Sequence, residues 1–186
     1  MIYKSFFIAA MLVAFVLAGS AEAQHGDHSK STEVARAVAV IAPVGESDVH
    51  GVLVFTREKD GMRVRGRISG LAPGKHGFHV HEYGDCSGAG GKTAGGHFNP
   101  FKSPHGDRVA GNRHQGDLGN ITAGSDGVAH VDFVDHRLAF SGSGSIIGRG
   151  VIVHGGTDDL TSQPSGAAGP RVGCGTIGIA GPVTGK

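Results

Sequence analysis

The stretch Met62-Arg63-Val64-Arg65-Gly66-Arg67-Ile68 alternates apolar and basic residues one by one. Side chains on an extended strand point to opposite faces in turn, so this reads as a half-buried strand with its arginines in water. Similar runs surround it. Residues 34–41 are small and β-branched, 49–56 form a second run, and Leu71-Ala72-Pro73-Gly74 turns the chain into Gly77-Phe78-His79-Val80-His81-Glu82. Further short strands are read over 117–122, 128–134, 146–154 and 174–180, with no convincing helix between them. Eight short strands divided by turn residues predict an all-β fold, an eight-stranded antiparallel sandwich or barrel. No internal repeat and no second domain is read.

Composition agrees with this. The 186 residues suffice for one domain with a real core. Thirty-four glycines, without a G-X-Y pattern, imply many tight turns between short elements. The formal charge is +1 with histidine neutral. Such a chain has no global field for nucleic acid or an acidic membrane, so steering of a charged substrate must be local.

The first residues read as a targeting segment. Lys4 supplies a positive start, residues 6–18 are small and apolar, and Ala21-Glu22-Ala23 fits a cleavage site before Gln24. The apolar run is shorter than the ~20 residues of a spanning helix. Residues 1–23 are therefore expected to be a cleaved signal peptide, with a retained anchor as the alternative. Residues 24–32, with His25 and His28, are expected to be a flexible tail, and 33–186 the folded domain. The mature chain is expected to be exported, periplasmic or extracellular, and free of the membrane. In an oxidising compartment the only two cysteines, Cys86 and Cys174, read best as a disulfide, the alternative being two buried thiols. Closing so long a loop is worth roughly 4–5 kcal/mol in the chain-entropy picture.

Histidine carries the chemistry. There are 12 in the chain. His79 and His81, one residue apart on a strand, emerge on the same face with Val80 turned away. Residues 83–116 then lose all periodicity. A loop that long inside a compact domain calls for a function, and it holds His97, His105 and His114, with Asp117 just past its end. Three imidazoles and a carboxylate complete a closed, four-coordinate set suited to zinc. His79, His81 and the strand-terminal His154 form a second, nitrogen-only set suited to copper. His97 lies between the two sets in sequence and could serve both. Two other patterns carry less: Gly173-x-Gly175-x-x-Gly178 has no helix after it, and Asn120-Ile121-Thr122 is a glycosylation sequon only in a eukaryotic secretory host.

The segments Gly77-Phe78-His79-Val80-His81-Glu82-Tyr83-Gly84-Asp85-Cys86, Gly96-His97-Phe98-Asn99-Pro100, His114-Gln115-Gly116-Asp117-Leu118-Gly119-Asn120, Ile152-Val153-His154 and Gly169-Pro170-Arg171-Val172-Gly173-Cys174-Gly175 resemble the copper/zinc superoxide dismutases over essentially the whole mature chain. The resemblance implies a Greek-key β-barrel with two long loops, one carrying the zinc ligands and the disulfide, the other electrostatic. It implies one copper held by His79, His81, His97 and His154, and one zinc held by His97, His105, His114 and Asp117. His97 would be the bridging imidazolate. Cys86 and Cys174 would be the family's intrachain disulfide, Arg171 the arginine beside copper, Asp158 the carboxylate linking ligands of both metals, and His76 a structural histidine. The implied reaction is dismutation of superoxide to dioxygen and hydrogen peroxide, with Arg171 and His97 catalytic, in a chain expected to form a homodimer. The alternative is a non-catalytic copper/zinc-binding or copper-buffering protein on the same fold. Two features depart from the family pattern. No lysine lies between His154 and Arg171, and Ala167 stands where asparagine is common; Lys92 in the first loop is the candidate substitute for steering.

Overall fold

The computed structural model describes residues 33–181. The signal peptide and the His25/His28 tail expected from the sequence lie outside the described residues. Eight strands form: β1 (Arg36–Pro43), β2 (His50–Glu58), β3 (Gly61–Ser69), β4 (Gly74–His81), β5 (Asp117–Ala123), β6 (Ala129–Asp135), β7 (Gly150–His154) and β8 (Arg171–Ile179). They close an antiparallel barrel in the order β1-β2-β3-β6-β5-β4-β7-β8. The jumps from β3 to β6 and from β4 to β7 are the Greek-key crossings, and pairing of β1 with β8 leaves no free sheet edge.

The alternation in β3 is the one read from the sequence. Met62, Val64 and Ile68 are buried, at 2%, 0% and 0% exposure, and Arg65 and Arg67 are exposed. They join Leu53, Phe55, Phe78, Val80, Val151, Val153 and Ile177 in one core inside the barrel. Burying each large apolar side chain contributes about 1.5–3 kcal/mol.

Several boundaries differ from the sequence reading: β4 begins at Gly74 rather than Gly77 and β1 runs 36–43 rather than 34–41, and two further differences have a clear cause. Residues 146–149 are a turn rather than the start of β7, with the Arg149 N–H donating to Ile146 O at 3.1 Å. Ile146 is nevertheless fully buried, so its apolar character looks like that of a strand. β8 begins at Arg171 rather than Cys174, because Arg171 already pairs with His154 of β7. The first loop also contains a short 3₁₀ segment, Ala89–Ala94, in which Gly90 and Gly91 have φ of 64° and 65°. Two successive left-handed glycines make it a pair of turns, not a regular helix.

β4 positions the site. Its inward residues Phe78 and Val80 belong to the core, yet the outward residues Gly77, His79 and His81 are just as buried. The two long loops cover the outer face. Val80 donates its N–H to Gly116 O and accepts from the Phe98 N–H, both at 2.9 Å, so the first loop continues the ladder where β5 has ended. The second loop, 155–170, is pinned by the Gly77 N–H donating to Gly156 O at 2.9 Å. A side chain on Gly77 would start 2.7 Å from the Ala168 methyl, so only glycine lets this loop lie against the strand.

Candidate metal centre

Strand alternation brings His79 and His81 out beneath the loops, at 0% and 1% exposure. A bridge between His81 and His97 lays the first loop alongside β4. His154 arrives from the end of β7, just beyond an irregularity in its pairing with β8. His79, His81, His97 and His154 thereby converge, each offering a nitrogen, with all four donor atoms within 4.8 Å of one another. The donor atoms of His97, His105, His114 and Asp117 converge within the same limit. His97 is common to both groups.

The free nitrogens test whether metals fit. Buried polar atoms almost always have partners, yet Nδ1 of His79 and Nε2 of His81, His97 and His154 have none. The opposite nitrogen of each ring is engaged. His81 Nδ1 donates to Gly95 O and His154 Nδ1 to Gly169 O, both at 3.0 Å, while His79 Nε2 donates to Asp158 Oδ2 at 2.6 Å. Each hydrogen bond fixes the proton on the far side of the ring and leaves a bare lone pair on the near side. Four bare nitrogens within 4.8 Å of one another suit a cation. In the second group, Nδ1 of His97, His105 and His114 lie 2.8, 3.0 and 3.2 Å from Asp117 Oδ1. The His105 nitrogen is too poorly aligned for a hydrogen bond. Three rings crowding one carboxylate oxygen match a tetrahedral N₃O donor set.

The two groups differ in charge. Burial, added to by His97 and His154, pushes His79 down to about 3. Burial likewise lowers His154 to about 4 and holds His81 well below the ordinary histidine range. At His105 burial also acts downward, but the carboxylates of Asp117 and Asp158, at 3.0 and 2.9 Å from its two ring nitrogens, outweigh it and raise the ring to about 9. Burial acts upward on Asp117 and Asp158, and contact with the histidines outweighs it, so both carboxyls stay well below the usual range.

Asp158 spans the groups. Its two oxygens accept from His79 Nε2 at 2.6 Å and His105 Nε2 at 2.9 Å. Its own backbone is held by Asn120, which donates to Asp158 O and accepts from the Asp158 N–H, both at 2.9 Å. The Asn120 amide is therefore committed to the fold and is not a free sequon side chain. His76 bonds the carbonyls of His154 and Ala72, both at 2.8 Å, and stays out of both groups.

A cavity of about 550 Å³ opens over the first group, walled by His81, His97, His154 and Arg171 with Asn99, Pro164 and Ser165. Arg171 is anchored through Gly91 O and, at 2.6 Å, Gly95 O. Those carbonyls belong to the segment that the Cys86–Cys174 disulfide ties to β8. Lys92 is exposed and does not line the cavity. Among the described residues Arg171 is the one cation lining the cavity, and Glu82 adds a carboxylate to the same wall.

Three residues escaped the sequence reading. Arg113, 1% exposed, donates to the carbonyls of His114, Gln115 and Asp117 at 3.0, 3.3 and 2.9 Å and pairs with buried Asp135 at 2.5 Å. It staples the backbone that carries two donor residues. Gly166 is the second: a Cβ there would lie 1.8 Å from Asp158 Oδ1 and 2.7 Å from His105 Nε2. Gln163 is the third, bonded to the backbone of His105. Nothing local marks Arg113 or Gln163; Gly166 was one glycine among many.

Residues 49–177 match the family described as copper/zinc superoxide dismutase (SODC). The chain is 44% identical over 157 residues to the extracellular superoxide dismutase [Cu-Zn] of Brugia pahangi, covering 80% of this chain and 78% of the relative. It is 48% identical over 153 residues to superoxide dismutase [Cu-Zn] 2 of Mesembryanthemum crystallinum, covering 78% and 96%. A crystal structure of the clock protein EA4 superposes with a TM-score of 0.75 at 42% identity, covering 82% of this chain and 99% of that one.

Proposed function

The chain belongs to the copper/zinc superoxide dismutase family, and from that premise we propose that His79, His81, His97 and His154 hold its copper, and His97, His105, His114 and Asp117 its zinc. The protein is a superoxide dismutase that uses one copper and one zinc per chain, with superoxide as substrate. The observation that carries the residue assignment is the set of four unpartnered, buried imidazole nitrogens converging beneath the cavity. When bound, copper supplies the one-electron chemistry, oxidising one superoxide to dioxygen and reducing a second to hydrogen peroxide, while zinc is redox-silent.

The chain's own residues do the rest. Arg171, fixed by Gly91 O and Gly95 O, keeps a guanidinium at the cavity wall; burial lowers it, but an arginine stays charged in proteins. Its remaining N–H donors hold the anion above the four rings. Peroxide formation consumes two protons. Nε2 of His97, buried and without a partner, is the atom placed to accept and return one of them. Nδ1 of the same ring faces Asp117 Oδ1 at 2.8 Å, so proton transfer on one side leaves the other side engaged. Asp158 keeps His79 and His105 oriented by accepting from both.

Export is supported by the disulfide and by the extracellular relative. We read residues 1–23 as the signal that directs it, to the periplasm or beyond the cell. A homodimer is supported by Val40 and Val52, register partners on the outer barrel face that are 65% and 46% exposed. The test uses the chain from Gln24 onward, loaded with both ions. One copper and one zinc per chain with rapid superoxide consumption is expected; full loading of both without consumption overturns the reading.

A further inference from the structure

We infer that Gln163 is a positioning residue for the zinc set: its amide clamps the backbone of His105 and thereby ties the Pro164 and Ser165 wall of the substrate cavity to the zinc ligands. The inference rests on the proposal that His105 holds zinc.

The geometry is a reciprocal pair. Gln163 Oε1 accepts from the His105 N–H at 2.8 Å, and Gln163 Nε2 donates to His105 O at 3.0 Å. The second hydrogen of Nε2 goes to Thr161 O at 3.1 Å. One planar carboxamide thus holds both polar backbone groups of one residue. A single hydrogen bond leaves the peptide planes free to rotate about it; two, from a rigid amide, do not. His105 needs this constraint. It sits in a segment without strand or helix, followed by Gly106. Its ring is held at Nε2 by Asp158, but a ring fixed at one end still tilts if its backbone turns. Gln163 supplies the other end.

The clamp also reaches the cavity. Pro164 and Ser165 directly follow Gln163 and line the same cavity as Arg171. The segment is internally stiff: the Gly166 N–H donates to Ser162 O at 2.7 Å, the Asp159 N–H to Gly166 O at 2.8 Å, and Asp159 Oδ1 accepts from the N–H groups of Thr161 and Ser162. A shift of His105 is therefore passed to the wall rather than absorbed. Only a primary carboxamide offers a donor and an acceptor side by side at this reach. Glutamate keeps the size and the acceptor but turns the donor into a charge facing His105 O; methionine keeps the size and loses both bonds.

Gln163 is exposed, so either replacement leaves the core intact. Gln163→Glu and Gln163→Met are loaded with copper and with cobalt(II) in place of zinc, and zinc affinity is measured by competition with a chelator. A lowering of zinc affinity of about tenfold and a changed cobalt visible spectrum, with copper content unaltered, are expected for both. A role limited to loop stability would lower the unfolding midpoint while leaving the cobalt spectrum and zinc affinity alone. Affinity within twofold of the parent and an unchanged spectrum in both variants overturn the inference. If the unaltered chain takes up no tetrahedral cobalt, or if His105→Ala takes it up as well as the parent does, the zinc assignment itself falls and this inference with it.

Discussion

Two clusters of buried histidines share one ring, yet they are built from opposite material. The first, His79, His81, His97 and His154, draws three members from β4 and β7 and contains no carboxylate. The second, His97, His105, His114 and Asp117, comes from an irregular loop and the first residue of β5, and centres on a carboxylate at 0% exposure. Burial neutralises the rings of the first and leaves bare lone pairs below a cavity. In the second, the same burial is outweighed by two carboxylates, and a proton on His105 offsets their charge. One residue type thus makes a neutral, nitrogen-only group and a carboxylate-centred group side by side. The neighbours decide which.

The shared ring is the sharpest place to break this contrast. His97→Ala removes a donor from both clusters at once. Zinc affinity and superoxide turnover are both expected to fall by about 100-fold or more, since even partners outside the coordination sphere account for 10–100-fold. Titration with each metal alone, then assay, checks it; loss of one function with the other intact would mean the two groups are independent. The next largest effect is expected at Gly166. In Gly166→Ala the new methyl occupies the place of Asp158 Oδ1 at a φ of 65°, so the carboxylate linking His79 to His105 must move. Metal affinity is expected to drop by about 10–100-fold while the strand-borne His81 and His154 keep their bonds to Gly95 and Gly169. Chelator competition for each metal separates the losses.

Much of this contrast was legible beforehand. Short β-branched and apolar runs between turn residues located the eight strands, period-two alternation marked β3, and the same alternation put His79 and His81 on one side of β4. The irregularity of 83–116 marked a loop in need of an organiser. What could not be read was whatever acts through distant backbone. Arg113 serves the carbonyls of Arg108, His114 and Gln115 in its own loop, that of Asp117 on β5 and a carboxylate on β6, and Gln163 serves His105 across 58 residues; neither has a local signature. Residues 146–149 misled for another reason: Ile146 is buried like a strand residue while its backbone turns.

Arg171 tests the open side alone. Its guanidinium touches neither cluster's free nitrogens and is held by loop carbonyls. Arg171→Ala is expected to reduce turnover by about tenfold at low ionic strength through lost attraction of the anion, with both metals retained. Among the described residues Arg171 is the one cation lining the cavity and Glu82 remains when it is removed, so the fall in the parent's rate with added salt is expected to disappear or reverse in the variant. A variant with unchanged rate at low salt would count against the role.

The metal-free protein separates the clusters by pH. His79 and His154 are lowered in the fold, to about 3 and about 4, from about 6.5 unfolded. Their neutral burial costs nothing above that value; as pH falls from there toward 4, the unfolded chain gains protons that the fold refuses, and stability drops. His105 is raised to about 9, so its contribution is complete below about 6.5 and disappears as pH rises through 9. Urea midpoints of stripped protein are therefore expected to peak near neutrality and fall on both sides. His105→Ala should remove the alkaline fall and leave the acid one.

The smallest expected effect sharpens the same divide, between regular strands and loops shaped by what they hold. Among the described residues, every non-glycine with positive φ lies in a loop: Lys102, Leu160 and Ala167, at 54°, 65° and 49°. A left-handed alanine costs roughly 1–2 kcal/mol, whereas glycine adopts that conformation freely. Ala167→Gly should relieve most of the cost while adding the freedom glycine loses on folding, about 0.5–1 kcal/mol. A net gain of about 0.5–1 kcal/mol is expected in the urea unfolding of the metal-loaded protein. Ala168→Gly is the control, because Ala168 is 2% exposed and packs beside Gly77; it should destabilise. If both changes destabilise alike, the second loop is held by side-chain packing throughout, and its strained backbone is not what distinguishes it from the strands.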